Sequence, residues 1–142
     1  MEPLRHAYLP DGATSMNFLI QVGLIEVALA ALLGWAVVIR SEKPEWIERI
    51  GIVQPHRILQ IHLDYIMMGL IAIAVGVVLP DIPDIAAYLL AFGTFVNPFL
   101  FVPLALSKSA DDNFLYRVIS IVSFLAISVA LVWAALLGPG FQ

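Results

Sequence analysis

The sequence predicts an all-α integral membrane protein: a four-helix bundle of up-down topology with both termini on the outer side. Three observations carry this. The chain of 142 residues is 61% hydrophobic and 13% charged, whereas a soluble domain carries roughly a quarter charged residues; its mean hydropathy is +0.95. Apolar runs at 16–39, 58–79, 85–106 and 114–137 each hold at least 22 residues, about 33 Å as helix and enough to cross a hydrocarbon core. The runs lack the alternation of barrel strands, and unpaired backbone groups are too costly in lipid for anything except helices or closed barrels.

The first span, Met16 to Ile39, is longer than a signal h-region and follows 15 residues without a basic n-region, so it is read as a retained helix. It carries Glu26, 14 residues before Arg40, about 21 Å at helical rise and near or beyond the midplane. Ionisable groups at such depth are expensive and face the bundle interior or a cavity. Glu26 is read either as a protonated carboxyl hydrogen-bonded to a neighbouring helix or as a proton relay or substrate contact.

The second span contains "RILQIHLDYIMMG". With Pro55 starting the helix, His62 lies about 10 Å inward, Asp64 about 13 Å and Tyr65 about 15 Å. At about 100° per residue, His62, Tyr65, Gly69, Ala72 and Gly76 share one face. Such a stripe serves close helix packing, or it seats a flat macrocycle on Gly69 and Gly76 with iron on His62. Asp64, about 160° away, faces a different helix or the loop end and pairs with Arg57 or Gln60. His6 lies in the N-terminal tail and His56 about 240° round the helix, so neither supplies a second axial ligand. A single His62 ligand leaves an open position suited to activating a small molecule. A buried hydrogen-bonded histidine and a proton relay are the competing readings. The absence of cysteine excludes disulfides, iron–sulfur clusters and covalent haem attachment.

The third span contains "FGTFVNPFLFVP". Asn97 lies about 16 Å from Lys108, within a turn or two of the depth of Asp64 and Tyr65, close enough to meet them. Pro98 frees the Thr94 carbonyl and Pro103 that of Phe99, giving a kink with spare acceptors. In the fourth span Ser120, Ser123 and Ser128 are expected to bond their own helix backbone and receive no role.

The loops give orientation. Arg40, Lys43, Arg49 and Arg57 lie in or beside the first loop, Lys108 and Arg117 flank the third, and Arg5 alone lies on the other side. The first and third loops are therefore read as cytoplasmic and the protein as multi-pass in the inner membrane. Trp46, Ile47, Ile50 and Val53 suggest a short segment along the interface, with Trp35 and Trp133 as an aromatic belt. A net charge of −4 leaves no footprint for nucleic acid. Residues 1–142 are read as one domain without repeats, so any chemistry lies inside the bundle.

Together, "HLDYIMMG", "LIAIAVGVVLP" and "FGTFVNPF" resemble the membrane isomerases that include hydroxylaminobenzene mutase and styrene oxide isomerase. In those small four-helix proteins the second span carries a histidine, then after five intervening residues an Asn-Gly pair, and a closing proline. His62, Gly69 and Pro80 stand at the corresponding spacing, and Phe95 to Asn97 match an aromatic and asparagine cluster. The likeness covers Arg57 to Phe101, with the outer helices alike only in layout. Met68 stands where the family has asparagine, and Phe101 where the epoxide enzyme has a pocket tyrosine.

The resemblance implies that His62 ligates haem b at a subunit interface of a trimeric homo-oligomer. Ferric iron would act as a Lewis acid on a small lipophilic epoxide or arylhydroxylamine, in a rearrangement without net redox change. Asn97 would orient the substrate oxygen, with Tyr65, Asp64 or Glu26 standing in for the polar side chains that Met68 and Phe101 replace. The alternatives are a non-catalytic subunit of a larger membrane complex, with or without haem, and a proton-coupled carrier using Glu26, Asp64 and His62.

Overall fold

A computed structural model describes residues 11–138, with side chains placed from Phe18 onward; Arg5 and His6 lie outside the described residues. The described chain is helical and contains no strand: α1 (Asp11–Glu42), α2 (Pro44–Arg49), α3 (His56–Val78), α4 (Asp84–Phe99), α5 (Phe101–Leu106), a 3-10 turn (Ala110–Asp112) and α6 (Phe114–Leu137). Among the described residues four segments are long and apolar enough to cross a membrane: Phe18–Glu42, His56–Val78, Asp84–Leu106 and Phe114–Leu137. Their limits lie within three residues of those read from hydropathy.

Local chemistry sets the boundaries. Pro44 occupies the first turn of α2, where its missing N–H costs nothing, and the Lys43 ammonium lies 4.9 Å from the centre of the Trp46 ring. Pro55 precedes α3. Asn113 caps α6, its Oδ1 accepting the Leu115 N–H at 2.9 Å. The third span divides at Leu100, between Pro98 in α4 and Pro103 in α5. The Leu100 N–H bridges the break, lying 3.0 Å from the Val96 carbonyl and 3.3 Å from that of Asn97.

Two close helix pairs, α1 with α3 and α4 with α6, build the bundle, and α3 joins them by packing on α4 and α5. At the first crossing a Cβ added to Gly23 would stand 2.5 Å from the Gly69 carbonyl oxygen, and one added to Gly69 would stand 2.7 Å from that of Gly23. Only glycine at both positions lets the backbones approach this far, the small-residue packing by which membrane helices gain van der Waals contact. Gly93 of α4 does the same against α6, where a Cβ would meet Ile127 Cβ at 2.7 Å.

One apolar cluster gathers Leu19, Ile82, Ala86, Leu90, Ile127 and Ala130 among others; a second, smaller one centres on Ala30, Ile61 and Tyr65. Beside the second, the N–H groups of Val53 and Gln54 both donate to the Ala105 carbonyl, at 2.8 and 3.0 Å. The first loop is thereby tied to the end of the third span. Large apolar side chains such as Trp35 and Phe124 face outward, 70% and 62% exposed, as lipid contact requires of a bundle this thin.

Candidate functional site

His62 is placed by α1. Its Nδ1 lies 2.8 Å from the Ala30 carbonyl oxygen. A carbonyl only accepts, so Nδ1 is the donor, and in the neutral ring this leaves the lone pair on Nε2. The ring fits because Gly34, one turn beyond Ala30, has no side chain: a Cβ there would sit 3.3 Å from His62 Cε1 and 3.8 Å from Nδ1. The imidazole is half-buried. Its Nε2 makes no hydrogen bond among the described residues and is not sealed from the surface. Among the described residues no three His, Asp or Glu side chains gather into a metal-holding group.

The glycine channel expected beyond His62 is filled. Gly69 lies against Gly23 O, Val27 Cγ2 and Glu26 Cβ of α1, with a Cβ at Gly69 falling 2.7, 2.8 and 3.1 Å from them. Gly76 is also buried on this helix. Gly69 is spent on bringing two helices together, and within one chain it offers no flat seat. The partner of this face of α3 is the small-residue stripe of Gly23, Ala30 and Gly34 on α1.

The other candidates separate. Tyr65 is 4% exposed; its hydroxyl donates to the Phe95 carbonyl at 3.3 Å, and its ring meets Phe95 edge-on with centroids 5.9 Å apart. Asn97 turns the other way, its Oδ1 accepting the Ser123 hydroxyl at 2.7 Å. Tyr65 and Asn97 therefore reach the same stretch of α4 without meeting each other. Ser123, expected to serve only its own helix, does contact Ser120 O at 3.1 Å but also ties α6 to α4. Asp64 is half-buried; it is bonded to neither Arg57 nor Gln60, which pair with each other at 2.7 Å. The Arg57 guanidinium instead covers the Phe101 ring, 5.7 Å from its centre.

Glu26 lies at the meeting of these helices and is fully buried. The Thr94 side chain is beside it, and Asp64 and Tyr65 are close enough to interact with it electrostatically. The Thr94 hydroxyl, 3.2 Å from the Ala91 carbonyl, is also the side-chain donor nearest the carboxyl, while neither carboxyl oxygen has a partner at full hydrogen-bond geometry among the described residues.

No family model, curated protein or solved structure matches this chain. The chemistry available is thus one oriented imidazole open at Nε2, one unpartnered carboxyl, and an internally satisfied polar seam between α4 and α6.

Proposed function

We propose that this chain is a haem-dependent intramembrane isomerase, in which His62 Nε2 holds the iron of haem b and the substrate is a small lipophilic epoxide or arylhydroxylamine. The observation that carries the reading is the Nδ1 contact of His62 with the Ala30 carbonyl. Metal-bound histidines characteristically donate their other ring N–H to a carbonyl or carboxylate, which fixes the tautomer and the ring plane. An imidazole nitrogen oriented in this way is a donor of the kind that would hold haem iron.

With Gly69 packed against α1, the reading takes the working form to be a homo-oligomer, a trimer by resemblance, in which a second copy would complete the site around His62. Bound there, the haem supplies Lewis acidity toward a substrate oxygen. The chain itself orients the imidazole, excludes water with apolar helices and admits an oily substrate from the bilayer. Asn97 and Tyr65 act from behind this site, holding α4 in place through Ser123 and the Phe95 carbonyl. Asp64, unpaired with Arg57 or Gln60, remains the polar group of α3 free to contact substrate.

The reading takes the bundle as up-down, with both termini outside the inner membrane and the first and third loops cytoplasmic. Support comes from the tie of Val53 and Gln54 to Ala105, which gathers those two loops at one end, and from the basic residues concentrated there.

A second reading, a non-catalytic membrane subunit, is favoured by the internal satisfaction of Asn97 and Tyr65, which leaves neither side chain free to orient a substrate oxygen. The absorption spectrum of detergent-purified protein decides first. A Soret band that disappears in His62→Ala, together with turnover of styrene oxide or phenylhydroxylamine without added reductant, is expected of the isomerase. A colourless wild-type protein overturns it, and haem without turnover of either compound leaves the subunit.

A further inference from the structure

The proline break in the third span shapes a space that the bundle does not fill. Before the break α4 and α6 are locked together, Gly93 lying against Ile127 and Asn97 accepting the Ser123 hydroxyl at 2.7 Å. Past Leu100 the two spans part. α5 packs on α3, and its Ala105 carbonyl holds the N–H groups of Val53 and Gln54 at 2.8 and 3.0 Å, so the end of the third span is drawn toward the first loop and away from α6. The 3-10 turn, which packs on both α5 and α6, closes the gap at the loop end. A wedge of about 480 Å³ remains between them, within the range of small-ligand sites.

The wedge has two chemically different ends. Val96, Leu100, Pro103 and Ile119 give it apolar walls, whereas Ser107, Ser109, Asn113 and Tyr116 edge it near the third loop. Val96 and Ser107 are 11 residues apart, about 16 Å at helical rise. The rim is rich in protons and poor in acceptors. Asn113 Oδ1 is taken by the Leu115 N–H at 2.9 Å, which leaves both amide protons unused. Ser107 and Ser109 share one hydrogen bond at 3.3 Å, so one of their two hydroxyl protons is left over. The Tyr116 hydroxyl bonds nothing among the described residues. No charged side chain is among the residues that line the wedge.

We propose that the wedge seats an acyl chain of a bilayer lipid, with its ester carbonyl received by the Tyr116 hydroxyl and the Asn113 amide. An ester accepts hydrogen bonds and donates none, which is what this rim calls for, and it sits at the end of the spans, where the ester layer of a bilayer lies. The chain fills the apolar space that α5 and α6 leave between them. An alkylammonium would bring more protons to a rim already full of them, and a carboxylate would give up water with no cation in the lining to replace it. Water competes for the rim, so burial of the chain supplies most of the affinity and the polar groups fix orientation and choice of head. The site is separate from His62, which is held on α1, and does not depend on iron there.

The test uses a fatty acid methyl ester with a diazirine in its chain as a photolabel, on the full chain in maltoside detergent, which carries no ester, with adducts located by mass spectrometry. Adducts are expected at Pro103, Tyr116 and Ile119 above the level at Val129 and Val132, outward-facing residues of α6 that are 51% and 61% exposed. Methyl laurate should lower labelling in the wedge by about tenfold, equivalent to about 1.4 kcal/mol, and leave Val129 and Val132 unchanged. Dodecane and dodecylammonium should protect far less. Tyr116→Phe, which keeps the ring, should weaken protection by methyl laurate several-fold and leave that by dodecane as it was. Ile119→Phe, which fills the wedge, should lose the wedge adducts while the melting midpoint holds. His62→Ala should behave as wild type throughout, so that loss of haem binding and failure of this site are read separately. Wedge labelling no higher than at Val129 and Val132, equal protection by methyl laurate and dodecane, or undiminished protection in Tyr116→Phe overturns the proposal.

Discussion

His62 and Ala30, 32 positions apart, are joined ring to backbone: Nδ1 of the imidazole lies 2.8 Å from the carbonyl oxygen. The bond fixes where the proton is, and so what the other ring nitrogen can do. Nitrogen-15 NMR of protein labelled at histidine and freed of cofactor should show one partly buried ring in the Nδ1–H tautomer, with an unprotonated Nε2. The Nε2–H tautomer would remove the basis for an axial ligand.

The ring's fit depends on Gly34. Gly34→Ala places a methyl 3.3 Å from His62 Cε1, a contact relieved by tenths of an ångström of ring movement. Alanine also favours the helix by up to about 1 kcal/mol over glycine. The melting temperature in detergent should change little, while the His62 NMR signature, or the Soret position if haem is bound, shifts.

Gly69→Ala should behave oppositely. Its Cβ would meet backbone and Val27 at 2.7 and 2.8 Å, and a helix backbone cannot step aside as a ring does. A loss of about 1–3 kcal/mol is expected from overpacking, measured as a lowered midpoint of denaturation, with α1 and α3 forced apart.

Ser123→Ala leaves Asn97 Oδ1 without its 2.7 Å partner in the bundle interior. Hydrogen bonds between membrane helices average about 0.6 kcal/mol and reach about 1.7, and burial of Asn97 places this one toward the upper end. Ser128→Ala should cost much less. Equal effects at the two positions would show that the Asn97 contact does not hold α4 to α6.

Tyr65→Phe separates packing from chemistry. The hydroxyl bond to Phe95 O is long at 3.3 Å, and the edge-on ring contact survives the change, so stability should fall by at most about 1 kcal/mol. If isomerase turnover falls by tenfold or more while the melting midpoint holds, Tyr65 touches substrate. A parallel small fall in both assigns it to positioning α4.

The spans were legible because lipid imposes one requirement, long apolar helices, that hydropathy reads directly; the proline break at Leu100 was legible because a missing N–H is visible in the sequence. Side-chain partners were not. A helical wheel sets His62, Tyr65 and Gly69 on one face of α3 but does not say which helix each side chain meets. The signal lay in α1, where Gly23, Ala30 and Gly34 fall on one side at spacings of seven and four. Ser123 was passed over because serine in a membrane helix usually bonds its own backbone, and nothing in a single span marks a cross-helix acceptor.

The glycine crossing of α1 and α3 also bears on how the protein is made. Gly23 against Gly69 completes its contact using only the first two spans, and Gly93 against Ile127 using only the last two. A chain severed in the Pro80–Pro83 turn should therefore insert as two separately stable halves that find each other in the bilayer, leaving the contacts of Glu26 and Tyr65 with α4 to form last. Biogenesis by halves would make the turn at residues 80–83 the most forgiving place in the molecule to insert a tag.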